Sequence, residues 1–250
     1  MITVKNISKS FGDKLVLDDI SLSFRRGMTN LVIGESGSGK TVLMKICTGL
    51  VEPDAGEVLF NDIRFSNRSE DIRVDIRKDM GVLFQGGALF DSMNVEQNVM
   101  FPLNMFTDMS YKEKLERVNF CLNRVNLNNI NKLMTNELSG GMMKRVAIAR
   151  AIANSPKYLF CDEPNSGLDP VTSEIIDALI LEITEEYNIT TVINTHDMNS
   201  VMMIGQSINF LYKGQLWWQG NSSNILHTDN EELNNFIFST ELTKRLKNNK

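Results

Sequence analysis

The octapeptide Gly34-Glu35-Ser36-Gly37-Ser38-Gly39-Lys40-Thr41 constrains this chain more than any other stretch. It fills every fixed position of the pattern G-x-x-x-x-G-K-[ST], and its flanks fit as well. Met28-Thr29-Asn30-Leu31-Val32-Ile33 before it reads as an apolar strand, and Val42-Leu43-Met44-Lys45-Ile46-Cys47 after it reads as a helix opening. Strand, glycine-rich loop and helix in that order form a phosphate cradle, a unit that belongs in an α/β sheet. The glycines let the backbone close around phosphate oxygens where a side chain would clash. Free amides at the helix N-terminus then point at the anion. Lys40 would neutralise the outer phosphates, and the Thr41 hydroxyl would complete a magnesium shell.

Around that centre the hydrophobic pattern switches repeatedly between strand and helix. Residues 2–7 and 15–24 alternate apolar and polar about the turn Phe11-Gly12-Asp13-Lys14, which predicts an antiparallel β-region ahead of the loop. The first helix should stop at Thr48-Gly49, a glycine C-cap. Further strands are expected at 57–60 and 80–84, the second delivering Gln85, with a charged helix at 70–78 between them. From 86 to 155 the pattern is helical, and residues 111–125 place Leu115, Val118, Cys121, Leu122 and Val125 on one face. Strands return at 158–161 and 190–194, separated by a helix over 171–187, and a hairpin follows at 208–212 and 215–219. The expected organisation is an α/β nucleotide-binding core over 1–85 and 156–226. A helical subdomain at 86–155 is inserted into it, and a C-terminal helical tail spans 227–250. Such a core is a P-loop NTPase fold, a mixed sheet with an antiparallel β-subdomain and its ligand at the carboxyl ends of the strands.

Two other stretches carry chemistry. Tyr158-Leu159-Phe160-Cys161 closes on Asp162 and Glu163, and a buried strand has no packing reason to end on paired carboxylates. Beside a phosphate loop, Asp162 would hold magnesium, directly or through water, and Glu163 would polarise an attacking water. Leu138-Ser139-Gly140-Gly141-Met142 opens a helix at 144–153, a second anion-binding end in one chain. One nucleotide needs one cradle, so the second suggests a phosphate bound from another subunit. The plainer alternative is an N-cap serine followed by flexible glycines.

Taken together these stretches resemble the nucleotide-binding subunits of ABC transporters over almost the whole chain. In that resemblance the phosphate loop corresponds to Walker A, residues 158–163 to Walker B, and 138–142 to the signature motif. Gln85 stands where the family has its Q-loop glutamine, Ser166-Gly167-Leu168-Asp169 where it has its D-loop, and His196 where it has its switch histidine. Phe11 matches the adenine-stacking aromatic; from the residues alone it is equally well a core side chain. The resemblance implies an ATPase in which two copies pair head to tail. ATP and magnesium would then lie between one Walker A and the partner's Ser139, Gly140 and Gly141. Glu163 would be catalytic, His196 would contact the γ-phosphate, and Gln85 would link the metal to the helical lobe.

The stretch after Gln85, with Gly86-Gly87-Ala88-Leu89-Phe90 and then Met93-Asn94-Val95, is similar to that of Mla/Mce-type lipid-transport ATPases, as is Met142 in the signature. This implies a transmembrane permease, an Mce-domain protein and a small accessory protein as partners, with the chain peripheral on the inner face of the cytoplasmic membrane. An importer of small polar solutes and a non-transport regulator of membrane division are the alternatives. A net charge of −5 speaks against nucleic acid as the main partner. Three scattered cysteines argue against a disulfide frame and for a reducing compartment, no apolar run approaches the roughly 20 residues of a bilayer span, and a Met1–Lys5 start without a signal-peptide apolar region predicts a cytoplasmic chain. In the tail, Leu233, Phe236, Ile237 and Leu242 fall near helical spacing and predict a helix packed on its own domain. The methionines at 93, 100, 105 and 109 suit either a pliable docking surface or core packing. Trp217 and Trp218 are adjacent on a strand, so one of them should be core.

Overall fold

Alternating apolar side chains commit the first strands to a core before the phosphate loop is reached. The computed structural model describes residues 1–66 and 68–238. In chain order the elements are β1 (Ile2–Phe11), β2 (Lys14–Phe24), β3 (Thr29–Ile33), α1 (Lys40–Cys47), β4 (Ala55–Phe60), β5 (Ile63–Arg64), α2 (Glu70–Lys78) and β6 (Met80–Leu83). There follow α3 (Val95–Phe106), α4 (Tyr111–Arg124), α5 (Gly140–Ile152), β7 (Tyr158–Asp162) and α6 (Pro170–Glu186). The last elements are β8 (Thr190–Thr195), α7 (Met198–Ile204), β9 (Ser207–Tyr212), β10 (Gln215–Gly220) and α8 (Glu231–Ile237). The chain divides into two units: Met1–Arg25, Thr29–Asn67 and Asn194–Lys250 form one, and Arg26–Met28 with Arg68–Ile193 form the other.

In the first unit an antiparallel sheet runs in the order β2-β1-β4-β5. Ile2, Val4 and Ile7 from β1 meet Leu17, Ile20, Leu22 and Phe24 from β2 in its buried face. β1 continues past the Ile7 limit read from the sequence, because register shifts between Val4 and Lys9 break the simple alternation. β3 is buried at every residue, as a strand covered on both faces should be, and it pairs in parallel with β9. The loop that follows β3 leads straight into α1, which ends at Thr48 with Gly49 at a φ of 73°.

The first unit also settles three expectations from the sequence. α8 docks on its own unit, with Leu233 and Ile237 buried and the Phe236 ring 5.5 Å from that of Phe210. Leu242, which shares that pattern, lies outside the described residues. Neither tryptophan is core: Trp217 is 40% exposed and Trp218 is half-buried. The cause is a register shift of β10 on β9 between Leu216 and Trp218, a bulge at which alternation fails. Trp217 instead donates its indole N–H to Glu232 at 3.2 Å and meets Tyr212 edge-on. Phe11 is 51% exposed and therefore not a core residue.

In the second unit β6 and β7 pair in parallel, Met80 opposite Tyr158 through Leu83 opposite Cys161, with β8 on the other edge of β7. A Cβ at Gly81 would stand 2.2 Å from the Ala151 carbonyl oxygen, so α5 lies on the sheet at a distance that only glycine allows. α3 and α4 each begin with a reciprocal capping box, Asn94 with Gln97 and Ser110 with Glu113. α4 buries Val118, Cys121 and Leu122, the face read from its spacing. The methionines divide: Met100 is buried, whereas Met105 and Met109 are exposed.

A polar hub sits inside the helical region. Buried Glu96 on α3 accepts from Tyr111 Oη at 2.8 Å and Asn131 Nδ2 at 3.3 Å, and pairs with Lys132 at 3.1 Å. Burial acts to raise the Glu96 carboxyl, but the bonds from Tyr111, Lys132 and Asn131 outweigh it and hold it below the ordinary glutamate value. A depressed folded-state value stabilises the fold above the unfolded value near about 4.3, and that contribution is lost as pH falls through the folded value. Urea midpoints measured from pH 7 down to pH 3.5 should therefore drop more steeply in the parent chain than in Glu96→Gln. Equal slopes would remove Glu96 from the acid sensitivity of this fold.

Candidate active site

The first unit holds the phosphate loop. Gly34, Gly37 and Gly39 have φ of 149°, 82° and 105°, conformations that other residues resist. A Cβ at Gly34 would lie 2.3 Å from Leu211 O and 2.8 Å from Ser38 Oγ, filling the cradle. α1 starts at Gly39 with no side-chain cap, so its first amides are left to an anion. Lys40 Nζ donates to the carbonyls of Gly34 at 2.8 Å and Glu35 at 2.9 Å, folding the amine back into the loop. Ser38 Oγ is buried and has no hydrogen-bond partner among the described residues, the kind of orphan that a phosphate oxygen would satisfy. Glu35, Ser36, Gly37 and Thr41 are exposed along the rim. The residues present therefore fit a nucleotide phosphate.

Phe11 and His196 belong to the same unit. Lys9 Nζ stands 5.4 Å from the centroid of the Phe11 ring, which is otherwise open to solvent as a stacking surface must be. His196 leaves the end of β8 exposed, ahead of α7, whose cap Asp197 accepts from Asn199 N at 2.9 Å.

The second unit holds the carboxylates. β7 ends on half-buried Asp162, and Glu163 follows with a φ of 49°. A glutamate in the left-handed region costs about 1 kcal/mol, which the surrounding structure must offset. Gln85 is exposed, two residues beyond the last residue of β6. In this unit the carboxylate of Asp162 and the carboxamide oxygen of Gln85 are hard donors of the kind magnesium takes, and in the first unit the Thr41 hydroxyl is another.

The signature segment is also in the second unit. Ser139 caps α5, its Oγ accepting from Met142 N at 3.2 Å, so the plain N-cap role is real. Ser139 and Gly140 are nevertheless exposed, and their helix end is open to a ligand from outside the chain. Gly141 is packed closely: a Cβ there would meet Thr172 Cγ2 at 2.9 Å, in the first turn of α6. That turn is capped by Asp169, whose carboxylate accepts from Thr172 N at 3.0 Å.

Two further residues shape the stretch after Gln85 and were not singled out from the sequence. Gly86, Gly87 and Ala88 are all left-handed, at φ of 79°, 83° and 46°. Arg150 on α5 clamps this strained run, donating to the carbonyls of Gly87 and Ala88 at 2.8 Å each and covering the Phe90 ring at 5.8 Å. Asn98 on α3 is fully buried and spans the next turn, donating to Phe90 O, Met93 O and Asn94 O and accepting from Phe90 N. An arginine inside the apolar run Ile148-Ala149-Arg150-Ala151 was the signal available for the first.

Comparison with known proteins gives a consistent result. Residues 17–166 match the ABC transporter family. The intermembrane phospholipid transport system ATP-binding protein MlaF of Haemophilus influenzae is 35% identical over 240 residues, covering 95% of this chain and 90% of that one. The methionine import ATP-binding protein MetN of Campylobacter jejuni is 37% identical, covering 95% of this chain and 75% of that one. The probable ribonucleotide transport ATP-binding protein mkl of Mycobacterium leprae is 35% identical, covering 94% and 68%. Among solved structures, the ATP-binding cassette MJ0796, a dimer in a post-hydrolysis state bound to ADP and Pi, matches with a TM-score of 0.81 at 33% identity, covering 89% of this chain and 99% of that one. The fold is the mixed α/β class expected from the sequence, with an antiparallel sheet and a helical region.

Proposed function

We propose, because this chain belongs to the ABC transporter family, that it is the ATPase subunit that drives phospholipid transport through a membrane permease. Binding and hydrolysis of ATP follow from the family; the cargo is the further step. The observation that carries it is the likeness to MlaF along nearly the full length of both chains, in line with the resemblance of the Gly86–Phe90 stretch to lipid-transport ATPases.

In this reading the phosphate loop binds ATP, with Lys40 released from the Gly34 and Glu35 carbonyls to meet the outer phosphates. Phe11 stacks on the base. Thr41, Asp162 and Gln85 would hold magnesium, which would supply charge neutralisation at the phosphates. Glu163 accepts the proton of the attacking water, and His196 donates to the γ-phosphate region. A second copy supplies Ser139, Gly140 and Gly141 to the same nucleotide, so that ATP joins two chains and its hydrolysis lets them part. The segment at 86–94, held by Arg150 and Asn98, faces the permease with exposed Met105 and Met109 nearby in sequence. No described helix is long and apolar enough to cross a membrane, so membrane contact would come through such a partner.

An importer of a small amino acid is the second reading, favoured by the 37% identity to MetN. Gentle detergent capture of Glu163→Gln with ATP, followed by mass spectrometry, separates the two. Phospholipid enriched above a mock sample, with a multispan permease and an Mce-domain protein, is the expected result. A permease that co-elutes with a solute-binding protein and no enriched lipid would overturn the lipid cargo.

A further inference from the structure

Lys144 is a buried cation with no role in the site described so far. It is 4% exposed on α5, and its Nζ has no hydrogen-bond partner among the described residues. Burying a charge without a partner is expensive, so a chain that keeps one there needs it for something other than stability.

The geometry of α5 places that amine. A short connection joins the end of α5 to the start of β7, so the helix runs back along the sheet, antiparallel to the strands. Ala151 lies over Gly81, and Gly81 pairs with Leu159. From Ala151 back to Lys144 the helix rises about 10 Å, and from Leu159 forward the strand covers about the same length in three residues. Lys144 therefore stands over the carboxyl end of β7, where Asp162 and Glu163 emerge. Its electrostatic surroundings agree: burial lowers its affinity for a proton, and Cys161 and Glu163 act in the opposite direction.

We propose that Lys144 is a positioning residue for hydrolysis, its ammonium holding the Glu163 carboxylate in place for the attacking water. This rests on the reading of Glu163 as the general base. The left-handed backbone at Glu163 aims the side chain, and a fixed charge behind it would limit where the carboxylate settles.

Turnover, ATP affinity and thermal unfolding of Lys144→Met, Lys144→Arg, Glu163→Gln and the Lys144→Met/Glu163→Gln pair provide the test. Lys144→Met should lower kcat by at least about tenfold and leave the ATP Kd within about twofold, a split that a packing defect would not produce. Its Tm should stay close to that of the parent, since an apolar chain of similar length fills the space of the buried amine. Lys144→Arg should recover most of the rate, and the double variant should be no slower than Glu163→Gln alone. Parent-like kcat in Lys144→Met would overturn the proposal, as would a loss of activity that tracks a falling Tm and is not recovered by arginine. Normal turnover in Glu163→Gln would instead overturn the general-base assignment beneath it.

Discussion

A Glu163→Gln chain is expected to hydrolyse ATP about a hundred to ten thousand times more slowly than the parent, the range that separates a positioned general base from none. Glutamine keeps the length and shape of the side chain but cannot take a proton from water. The backbone at Glu163 is already left-handed, so the substitution alters the chemistry at that position without relieving the strain. ATP affinity should stay within about threefold, because the phosphate loop lies elsewhere in the chain and loses nothing. With hydrolysis stopped, the ATP-bound pair should persist. Sedimentation should then show a dimer in ATP and a monomer once nucleotide is removed. Turnover within about twofold of the parent would end the assignment of Glu163 and move the general base to another group.

How much of this site was legible in the sequence depended on whether its parts are local. The phosphate loop is eight consecutive residues whose flanks announce their own strand and helix, and β3, the loop and α1 fall where the sequence put them. β7 was legible for the same reason, an apolar run that stops on two acids. Pattern reading failed where a bulge shifts the register, in β1 past Ile7 and in β10 between Leu216 and Trp218, because alternation carries no signal for an inserted residue. It also failed where a side chain acts far along the chain from its own position. Arg150 reaches back to Gly87 and Ala88, and Lys144 lies over the end of β7; the apolar run marks Arg150 as unusual without saying what it reaches, and nothing in the sequence marks Lys144. Phe11 shows the intermediate case. Residue type allowed either a core or a stacking role, and only exposure separates them.

Gly141→Glu should abolish ATPase activity while leaving each chain able to bind ATP. The contact is tight: a Cβ at Gly141 would stand 2.9 Å from Thr172 Cγ2, and a longer acidic side chain must turn outward into the exposed helix end beside Ser139 and Gly140. There it would meet the phosphates of a nucleotide carried by the second copy, and like charges at that range repel strongly. The loss should be at least about a hundredfold, comparable to removing a donor from a preorganised oxyanion site. Fluorescent-nucleotide titration should give a parent-like Kd, since Lys40 and its loop are intact. Mixing supplies the decisive comparison. Lys40→Ala removes the cradle's own cation, and Gly141→Glu spoils the surface offered to a partner. In a head-to-tail pair of one chain of each kind, one site draws its loop and its signature from unaltered segments, and the other site carries both changes. Each variant alone should be inactive, whereas an equal mixture should recover about a quarter of the parent rate if the two sites act independently. Tight coupling of the sites would lower that figure without abolishing it. A mixture as inactive as its components would mean that Gly141 serves only the start of α5 in its own chain, and the shared nucleotide would have to be given up.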